Sequence, residues 1–327
     1  MPGPPQQVTK SVNVSVVLCT YNRCKSLESA LDSLAASNLP AYVEWEVLVV
    51  DNNSNDETKS VAAEYCRRYQ GRFHYLFEPR QGKSYALNAG VRTARGDVLA
   101  FTDDDAIVEP TWLANLTDPL SSGDWAGSGG RTFPSVAFSR PEWLSGDNPL
   151  QWGGILGGLF DMGAEPCELI VAPYGVNMAF RKKMFEKYGV FREELGPRPG
   201  SEIRNEDTEF GQRLMAARER LYYVPSAVVY HEISTDRLRK EYFLKWWFDF
   251  GRARVREAGN RSKVFGIPRQ YLSIPNNVLR VLPLQFFRWV LAINRQKRFH
   301  YKCLAWAAAG RTVEIWRQSS QKREPAS

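Results

Sequence analysis

Along the first hundred residues the apolar positions alternate between two periods. Val12–Thr20 (VNVSVVLCT) is a β-branched apolar run that stops at a polar Tyr21-Asn-Arg-Cys, and it predicts a strand. Ser26–Ala36 then repeats Leu27, Ala30, Leu31 and Leu34 at helical spacing. Glu44–Val50 predicts a second strand, closed by the turn-rich Asp51-Asn-Asn-Ser-Asn-Asp. A helix over Glu57–Tyr69 follows, then a strand over Phe73–Phe77 and a helix over Lys83–Ala94 between Gly82 and Gly96. Val98–Phe101 is a fourth strand and runs straight into Asp103-Asp-Asp. Strands alternating with helices predict βαβ units, hence an α/β fold with a mainly parallel sheet flanked by helices.

The pattern is weaker further on. Ser121–Pro173 is rich in Gly, Pro and Trp and predicts no definite element. Arg204–Arg218 reads as a helix introduced by Asn205-Glu-Asp, with Phe210, Leu214 and Ala217 on one face. Leu221–Tyr230 reads as a strand that ends at His231. At 327 residues the chain is long enough for two units, or for one large α/β unit with an appendage.

Charge sharpens that division. The region from residue 236 to the C-terminus holds 20 Lys and Arg against 6 Asp and Glu, a net +14, although the whole chain carries only +7. An acidic body with a basic, aromatic tail points to an anionic partner surface. Five scattered cysteines (Cys19, Cys24, Cys66, Cys167, Cys303) suit neither a disulfide framework nor a zinc knuckle, which predicts reduced thiols in the cytoplasm. The Met-Pro-Gly-Pro-Pro start lacks the order of a signal peptide, and no window has the roughly 18 uninterrupted apolar residues of a membrane span.

In an open parallel sheet, ligands sit beyond the carboxyl ends of the strands. Here three predicted strands end in Thr20-Tyr21-Asn22, in Asp51-Asn52-Asn53, and in Thr102 through Asp105. Three adjacent acids repel one another unless a cation or strong donors stand among them. Carboxylates at a strand end suit Mg²⁺ or Mn²⁺, although a solvated acidic turn capping a helix would read the same way. His231, at another strand end, would tilt such a site toward Mn²⁺. Glu206-Asp207 opens a helix. Acids there complement the helix dipole, and they can also present a general base on a rigid support.

Together these segments resemble a known family. SVVLCTYNR, VVDNNSND, RQGKSYALNAG, FTDDD, GVNMAF and NEDTEFGQRL occur in the order found in family 2 inverting glycosyltransferases of the GT-A fold, a Rossmann-like α/β architecture. The resemblance runs from about Val12 to His231. It implies a disordered tail over residues 1–11 and a catalytic domain over 12–235. Residues 12–115 would form its nucleotide-binding half and 116–235 its acceptor half, with a basic helical region over 236–327. It implies that Thr20, Tyr21, Asn22 and Asp51 contact the nucleotide, with Lys83, Asn88 and Asp104 nearby. Asp103-x-Asp105 matches the DxD motif, so Asp103 and Asp105, with His231, would hold Mn²⁺ or Mg²⁺. Gly175, Val176 and Asn177 match the floor of the sugar site. Asp207 would be the catalytic base, with Glu206 beside it. The implied reaction moves a sugar, with UDP the expected carrier, to a hydroxyl of a glycan or lipid-linked acceptor in cell-surface polysaccharide or glycolipid synthesis. Asn52 stands where many relatives have a second aspartate, which leaves the base open. No Gln-x-x-Arg-Trp signature of processive synthases follows Asp207, which favours single-residue transfer.

Two other functions fit parts of this pattern. A nucleotidyltransferase would carry a glycine-rich basic loop after the first strand, where Thr20-Tyr-Asn-Arg-Cys has no glycine. An inactive homologue would have lost the acids, and Asp105 and Asp207 are both present. The tail also has two readings. Leu238–Arg256 interleaves Arg and Lys with Tyr242, Phe243, Trp246, Trp247 and Phe250, while Ile274–Ile293 is apolar but broken by Pro and Arg. It fits peripheral contact with an anionic membrane, on the cytosolic face, and equally fits helices packed on the catalytic domain. No nucleic-acid module accompanies it, and none is expected as a partner.

Overall fold

The computed structural model describes residues 14–144, 152–201, 203–258 and 276–321. The expected disordered tail, residues 1–11, lies outside them. The chain begins with β1 (Val14–Thr20), α1 (Cys24–Ala35), β2 (Trp45–Asp51), α2 (Thr58–Arg68), β3 (Phe73–Phe77), α3 (Lys83–Thr93) and β4 (Val98–Asp103). These are the predicted βαβ units, shifted by a residue or two at their ends. After them come β5 (Ala106–Val108), α4 (Trp112–Ser122), β6 (Gly127–Pro134), β7 (Cys167–Glu168), β8 (Met178–Arg181), α5 (Lys182–Tyr188), α6 (Glu206–Ala216) and β9 (Leu221–His231). A 3-10 turn at Thr235–Leu238 leads into α7 (Lys240–Ala258), and α8 (Asn276–Leu291) and α9 (Arg295–Gln321) complete the described chain.

One sheet holds the strands in the order β3-β2-β1-β4-β8-β6-β9-β5, with β7 alongside β9. The first four are parallel, as the alternation of elements requires. Beyond β4 the sheet is mixed: β8 is antiparallel to both β4 and β6, and β5 is antiparallel to β9. β6 and β9 are parallel to each other, so the expected mainly parallel sheet is found with antiparallel strands added to its second half. The strands of the second half are joined by loops as well as helices, so nothing forces one direction on them. β6 lay hidden in the Gly-rich stretch because its glycines answer to close neighbours rather than to a hydrophobic period.

Alternation along β1 divides the core between the two faces of the sheet. Val14, Val16 and Leu18 join α1, α2 and α4 in one apolar cluster, while Val17 faces α3 and the aromatic group Phe101, Phe180, Phe185, Phe191 and Phe210 in the other. With both faces covered, β1 is apolar almost without interruption.

A third cluster joins the C-terminal helices to the body. Phe243, Phe299 and Cys303 pack with Leu144, Trp152, Ile155 and Leu156. Helices α7 and α9 cross closely: an added Cβ at Gly251 would stand 2.0 Å from the Ala307 carbonyl oxygen, and one at Gly310 equally close to that of Phe248. At the crossing Glu314 is buried between Arg252 (3.0 Å) and Arg256 (2.8 Å). Arg256 also donates to the Glu194 carbonyl at 2.8 Å, which ties α7 to the loop that precedes α6. Of the two readings of the tail, packing on the body is therefore real for α7 and α9. No helix among the described residues is long and apolar enough to cross a membrane.

Candidate active site

Strand register assembles the site. The pairing of β1 with β2 sets Thr20 opposite Asp51, and that of β1 with β4 sets Cys19 opposite Asp103. The chain runs outward from β1 to β3 and returns to β4 on the other side, so the β1–β4 boundary is the switch point at which such sheets bind ligands. Strand β5 then folds back on β9 and sets Ala106 opposite His231. This delivers the imidazole to the acidic triplet, with His231 Nε2 3.0 Å from Asp105 Oδ1. The other ring nitrogen lies 2.8 Å from the Glu232 carbonyl oxygen, an acceptor that orients the ring.

Asp103, Asp105 and His231 each offer a ligand atom, and these atoms lie within 4.8 Å of one another. Two carboxylate oxygens and an imidazole nitrogen suit Mn²⁺, and acceptably Mg²⁺, with positions left for a diphosphate. The surrounding cations fit the same purpose. Lys83 Nζ, at the start of α3, is 2.6 Å from Asp103 Oδ1 and 3.9 Å from Glu206 Oε1. Arg23 pairs closely with Asp105 and reaches Asp104 at 3.4 Å.

Electrostatics separate the acids. Burial would raise Asp103, but the charge and hydrogen bond of the Lys83 ammonium, together with the charge of His231, hold the carboxyl below its ordinary range. Asp105 is held well below that range against burial, by the hydrogen bond and charge of His231 and the charges of Arg23 and Arg237. Burial lifts Asp104 to about 7, with Arg23 opposing only in part. Glu206 is also pushed to about 7, by burial and then by the neighbouring charge of Asp207. Its Oε2 is buried without a hydrogen-bond partner. Two ionised ligands thus sit beside two reluctant acids.

Two cavities meet at this cluster. One, of about 340 Å³, is lined by Thr20, Tyr21, Arg23, Asn52, Gln81 and the three aspartates, and is roofed by Pro197–Gly200. The other, of about 330 Å³, is lined by Glu206, Asp207, Tyr174, Gly175, Val176 and, from α7, Trp246, Phe250 and Arg254. Lys83, Asp103, Arg204, His231 and Arg237 line both. Asp207 is held at its mouth by the Gly175 N–H, which donates to Oδ2 at 2.6 Å. Asn205, in the left-handed region at φ 79°, turns the chain into α6 there.

The structure brings together Thr20, Tyr21, Lys83, Asp103, Asp104, Asp105, Glu206, Asp207 and His231. It places four other expected residues elsewhere. Asp51 is buried and its two oxygens accept from Ser54 N and Tyr75 OH, both at 2.9 Å, so it braces the strand end without lining either cavity. Asn22 accepts from Asn55 N at 2.8 Å in an exposed turn. Asn88 lies in the core, bonded to the backbone of Phe191 at 2.8 and 3.0 Å. Asn177 accepts from Trp112 Nε1 and donates to the Arg131 and Ala227 carbonyls, clamping β8 to its neighbours. These amides support the walls, and motif position alone could not distinguish wall from lining.

Other lining residues were not assigned to the site from the sequence. Asn52 donates to the Glu78 and Arg80 carbonyls and accepts from Gly82 N at 2.7 Å, holding the loop that launches Lys83. Trp246, Phe250 and Arg254 recur every four residues on α7, and the first two stack at 5.2 Å with their planes 10° apart. That spacing was legible, but the side it faces was not.

Fold and site together define an α/β enzyme whose cleft suits a divalent ion with a phosphorylated ligand. Residues 15–189, more than half of the chain, match the family described as glycosyl transferase family 2. The chain belongs to that family and is a glycosyltransferase. It is 26% identical over 249 residues to the glucosyl-dolichyl phosphate glucuronosyltransferase of Haloferax volcanii, covering 72% of this chain and 75% of that one. It spans 35% and 23% of the next two curated glycosyltransferases it matches. In structure it resembles the mannosyltransferase PcManGT of Pyrobaculum calidifontis in complex with GDP-Man and Mn²⁺ (TM-score 0.63, 19% identity, 95% and 89% of the two chains). It also resembles residues 1–349 of S. aureus TarS in complex with UDP (TM-score 0.51, 15% identity, 96% and 93% covered). These likenesses establish the GT-A fold.

Proposed function

We propose that the protein moves a sugar from a nucleoside-diphosphate donor, UDP-linked in our reading, to a hydroxyl of a glycan or lipid-linked acceptor, inverting the anomeric carbon. The observation that carries this is the wall between the two cavities. It is made of Lys83, Asp103 and His231, with Asp207 on one side and Thr20, Tyr21 and Arg23 on the other. A donor laid across it has its nucleotide in the first cavity, its diphosphate at the wall and its anomeric carbon facing Asp207.

In that pose the acceptor hydroxyl attacks from the second cavity. Its proton passes to an Asp207 oxygen, while the bond from the anomeric carbon to the diphosphate breaks and its electron pair leaves with the phosphate oxygen. One displacement inverts the centre and needs no enzyme nucleophile. Asp103, Asp105 and His231 would hold Mn²⁺ or Mg²⁺, which when bound would supply charge neutralisation for the diphosphate. Lys83 serves the same end, and the Gly175 N–H orients Asp207. Tyr174, Trp246 and Phe250 offer flat faces to the acceptor ring.

The relatives support a lipid-linked or polysaccharide acceptor presented at a membrane. The basic tail and α8 support peripheral docking there, on the cytosolic face. Phe287, Leu291 and Ile293 are 62%, 74% and 98% exposed, with Arg288, Arg295, Lys297 and Arg298 beside them. A helix that shows apolar residues and arginine together suits an anionic lipid interface.

The test is a panel of UDP- and GDP-sugars assayed for Mn²⁺-dependent binding and slow hydrolysis, followed by NMR of the product anomer. Failure of every nucleotide sugar to bind, or a product of retained configuration, would sink the reading.

A further inference from the structure

Arg237 follows β9 in the 3-10 turn Thr235–Leu238, outside every motif of the family pattern and at the very start of the basic tail. Its side chain nevertheless reaches the centre of the site and lines both cavities. The way in is left by Gly157, whose φ of 83° already disfavours a side chain. A Cβ there would stand 2.5 Å from an Arg237 guanidinium nitrogen and 2.6 Å from His231 Nδ1. The guanidinium and the imidazole are thus packed into the same small space beside Asp105.

Its electrostatic situation differs from that of its neighbours. Lys83 is committed to Asp103 and Arg23 to Asp104 and Asp105, each through a salt bridge. Arg237 is partly buried at the same cluster and, among the described residues, forms no ion pair within 4.0 Å. A guanidinium has five donors in a planar fork matched to phosphate oxygens. Held at the wall between the cavities, where its charge is felt by Asp105 but makes no direct pair with it, the guanidinium is placed to take a further anion.

We propose that Arg237 binds the diphosphate of the donor and takes up the negative charge that group gains as the sugar leaves. This rests on the nucleotide-sugar reading above. The electron pair of the breaking bond stays on the leaving phosphate oxygen, where Arg237 donates hydrogen bonds without giving up a proton. The acceptor's proton still goes to Asp207, so the balance of the reaction is unchanged. The consequence for the fold is that the basic tail supplies part of the reaction centre and is more than an anchor.

The test compares nucleotides that differ only in the second phosphate. Calorimetric titration of UDP, UMP, GDP and GMP in Mn²⁺ is run on the full-length wild type, Arg237→Gln and Arg237→Lys, with thermal melts as a control of folding. Arg237→Gln is expected to weaken the preferred diphosphate by about tenfold or more, the scale of one lost charged hydrogen bond. The matching monophosphate should stay within about twofold, Arg237→Lys should recover part of the loss, and kcat for transfer should fall more than the donor KM rises. Equal weakening of di- and monophosphate, or an unchanged diphosphate affinity, would overturn the assignment of Arg237 alone. If the wild type binds no diphosphate more tightly than its monophosphate, the assignment falls together with the nucleotide-sugar reading.

Discussion

His231 Nε2 and Asp105 Oδ1 stand 3.0 Å apart although one closes the ninth strand and the other follows the fourth. The contact is made by β5, a strand of three residues, which turns back immediately after the acidic triplet and pairs antiparallel with the end of β9. The backbone of His231 is thereby held beside the carboxylates by sheet hydrogen bonds, and the Glu232 carbonyl at 2.8 Å orients the ring. Rigidity of this sort is what a site for a charged ligand needs, since the cost of holding like charges together is met when the chain folds.

Substitution of Asp105 is expected to abolish transfer while leaving the sheet intact. Asp105→Ala removes one of the three ligand atoms, takes from His231 its carboxylate partner and leaves Arg23 only Asp104. Activity should fall by more than about 10²-fold, the scale on which lost electrostatic stabilisation of a transition state is felt. EDTA should silence the wild type, with Mn²⁺ restoring it. Circular dichroism checks the fold. Full activity of either the variant or the EDTA-treated enzyme would refute the metal site.

Asp207→Asn keeps the size of the side chain and its bond from the Gly175 N–H but cannot take a proton. Turnover should drop by about 10²-fold or more with the donor KM within a few-fold of wild type. Steady-state kinetics decide this. A raised KM with normal kcat would make Asp207 a binding residue.

Glu206 should make stability depend on pH. Burial raises its folded carboxyl to about 7 from an ordinary 4.5. Between those values the folded protein holds a proton that the unfolded chain has lost. The unfolded state therefore binds fewer protons, and stability falls as pH rises through that window. Glu206→Gln carries no titrating proton there. Its denaturation midpoint relative to wild type should rise from pH 4.5 to 7 in metal-free protein and then level off. A constant difference across the window would show that Glu206 is ionised throughout.

Glu314 is expected to be indispensable to the C-terminal helices. It is 3% exposed and is bonded to both Arg252 and Arg256. Glu314→Ala leaves two guanidinium groups in a poorly solvated crossing, a loss of about 3 kcal/mol on the scale of broken buried pairs. Urea denaturation measures it. A change under 1 kcal/mol would mean that water already reaches the pair.

Membrane docking should draw on two forces at once. Flotation with anionic vesicles should recover the protein, and neutral vesicles should recover much less. Salt at about 1 M screens the basic residues to a Debye length near 3 Å, yet the apolar face of α8 should retain part of the binding. Phe287→Ser with Leu291→Ser should remove that remainder, since each side chain buried in lipid contributes on the order of 1.5–3 kcal/mol. Equal recovery by both vesicle types would rule out the electrostatic part, and no effect of the double variant would rule out the apolar part.

Much of this protein was legible in its sequence because the signals are local. A strand covered on both faces must be a β-branched apolar run, as in Val14–Thr20, and a helix between such strands must repeat its apolar face, as Leu27, Ala30, Leu31 and Leu34 do. Polar residues at the ends of parallel strands share one edge of the sheet whatever the loops do, so Thr20, Asp103 and Asp105 could be assigned to one place beforehand. The tertiary structure decided what depends on partners distant in the chain. Antiparallel β8 and Gly-rich β6 are set by the backbones they approach, with no period of their own to announce them. Asn88 and Asn177 belong to matching motifs, yet their amides are spent on the Phe191 backbone and on the Arg131 and Ala227 carbonyls. Only three-dimensional packing determines whether a buried amide faces a cavity or a wall. The same holds for α7: charge and aromatic content allowed it to face lipid or protein. The Trp152–Phe243 cluster turns it toward the body and the Arg252–Glu314–Arg256 crossing ties it to α9, because apolar area and opposite charges are buried together there.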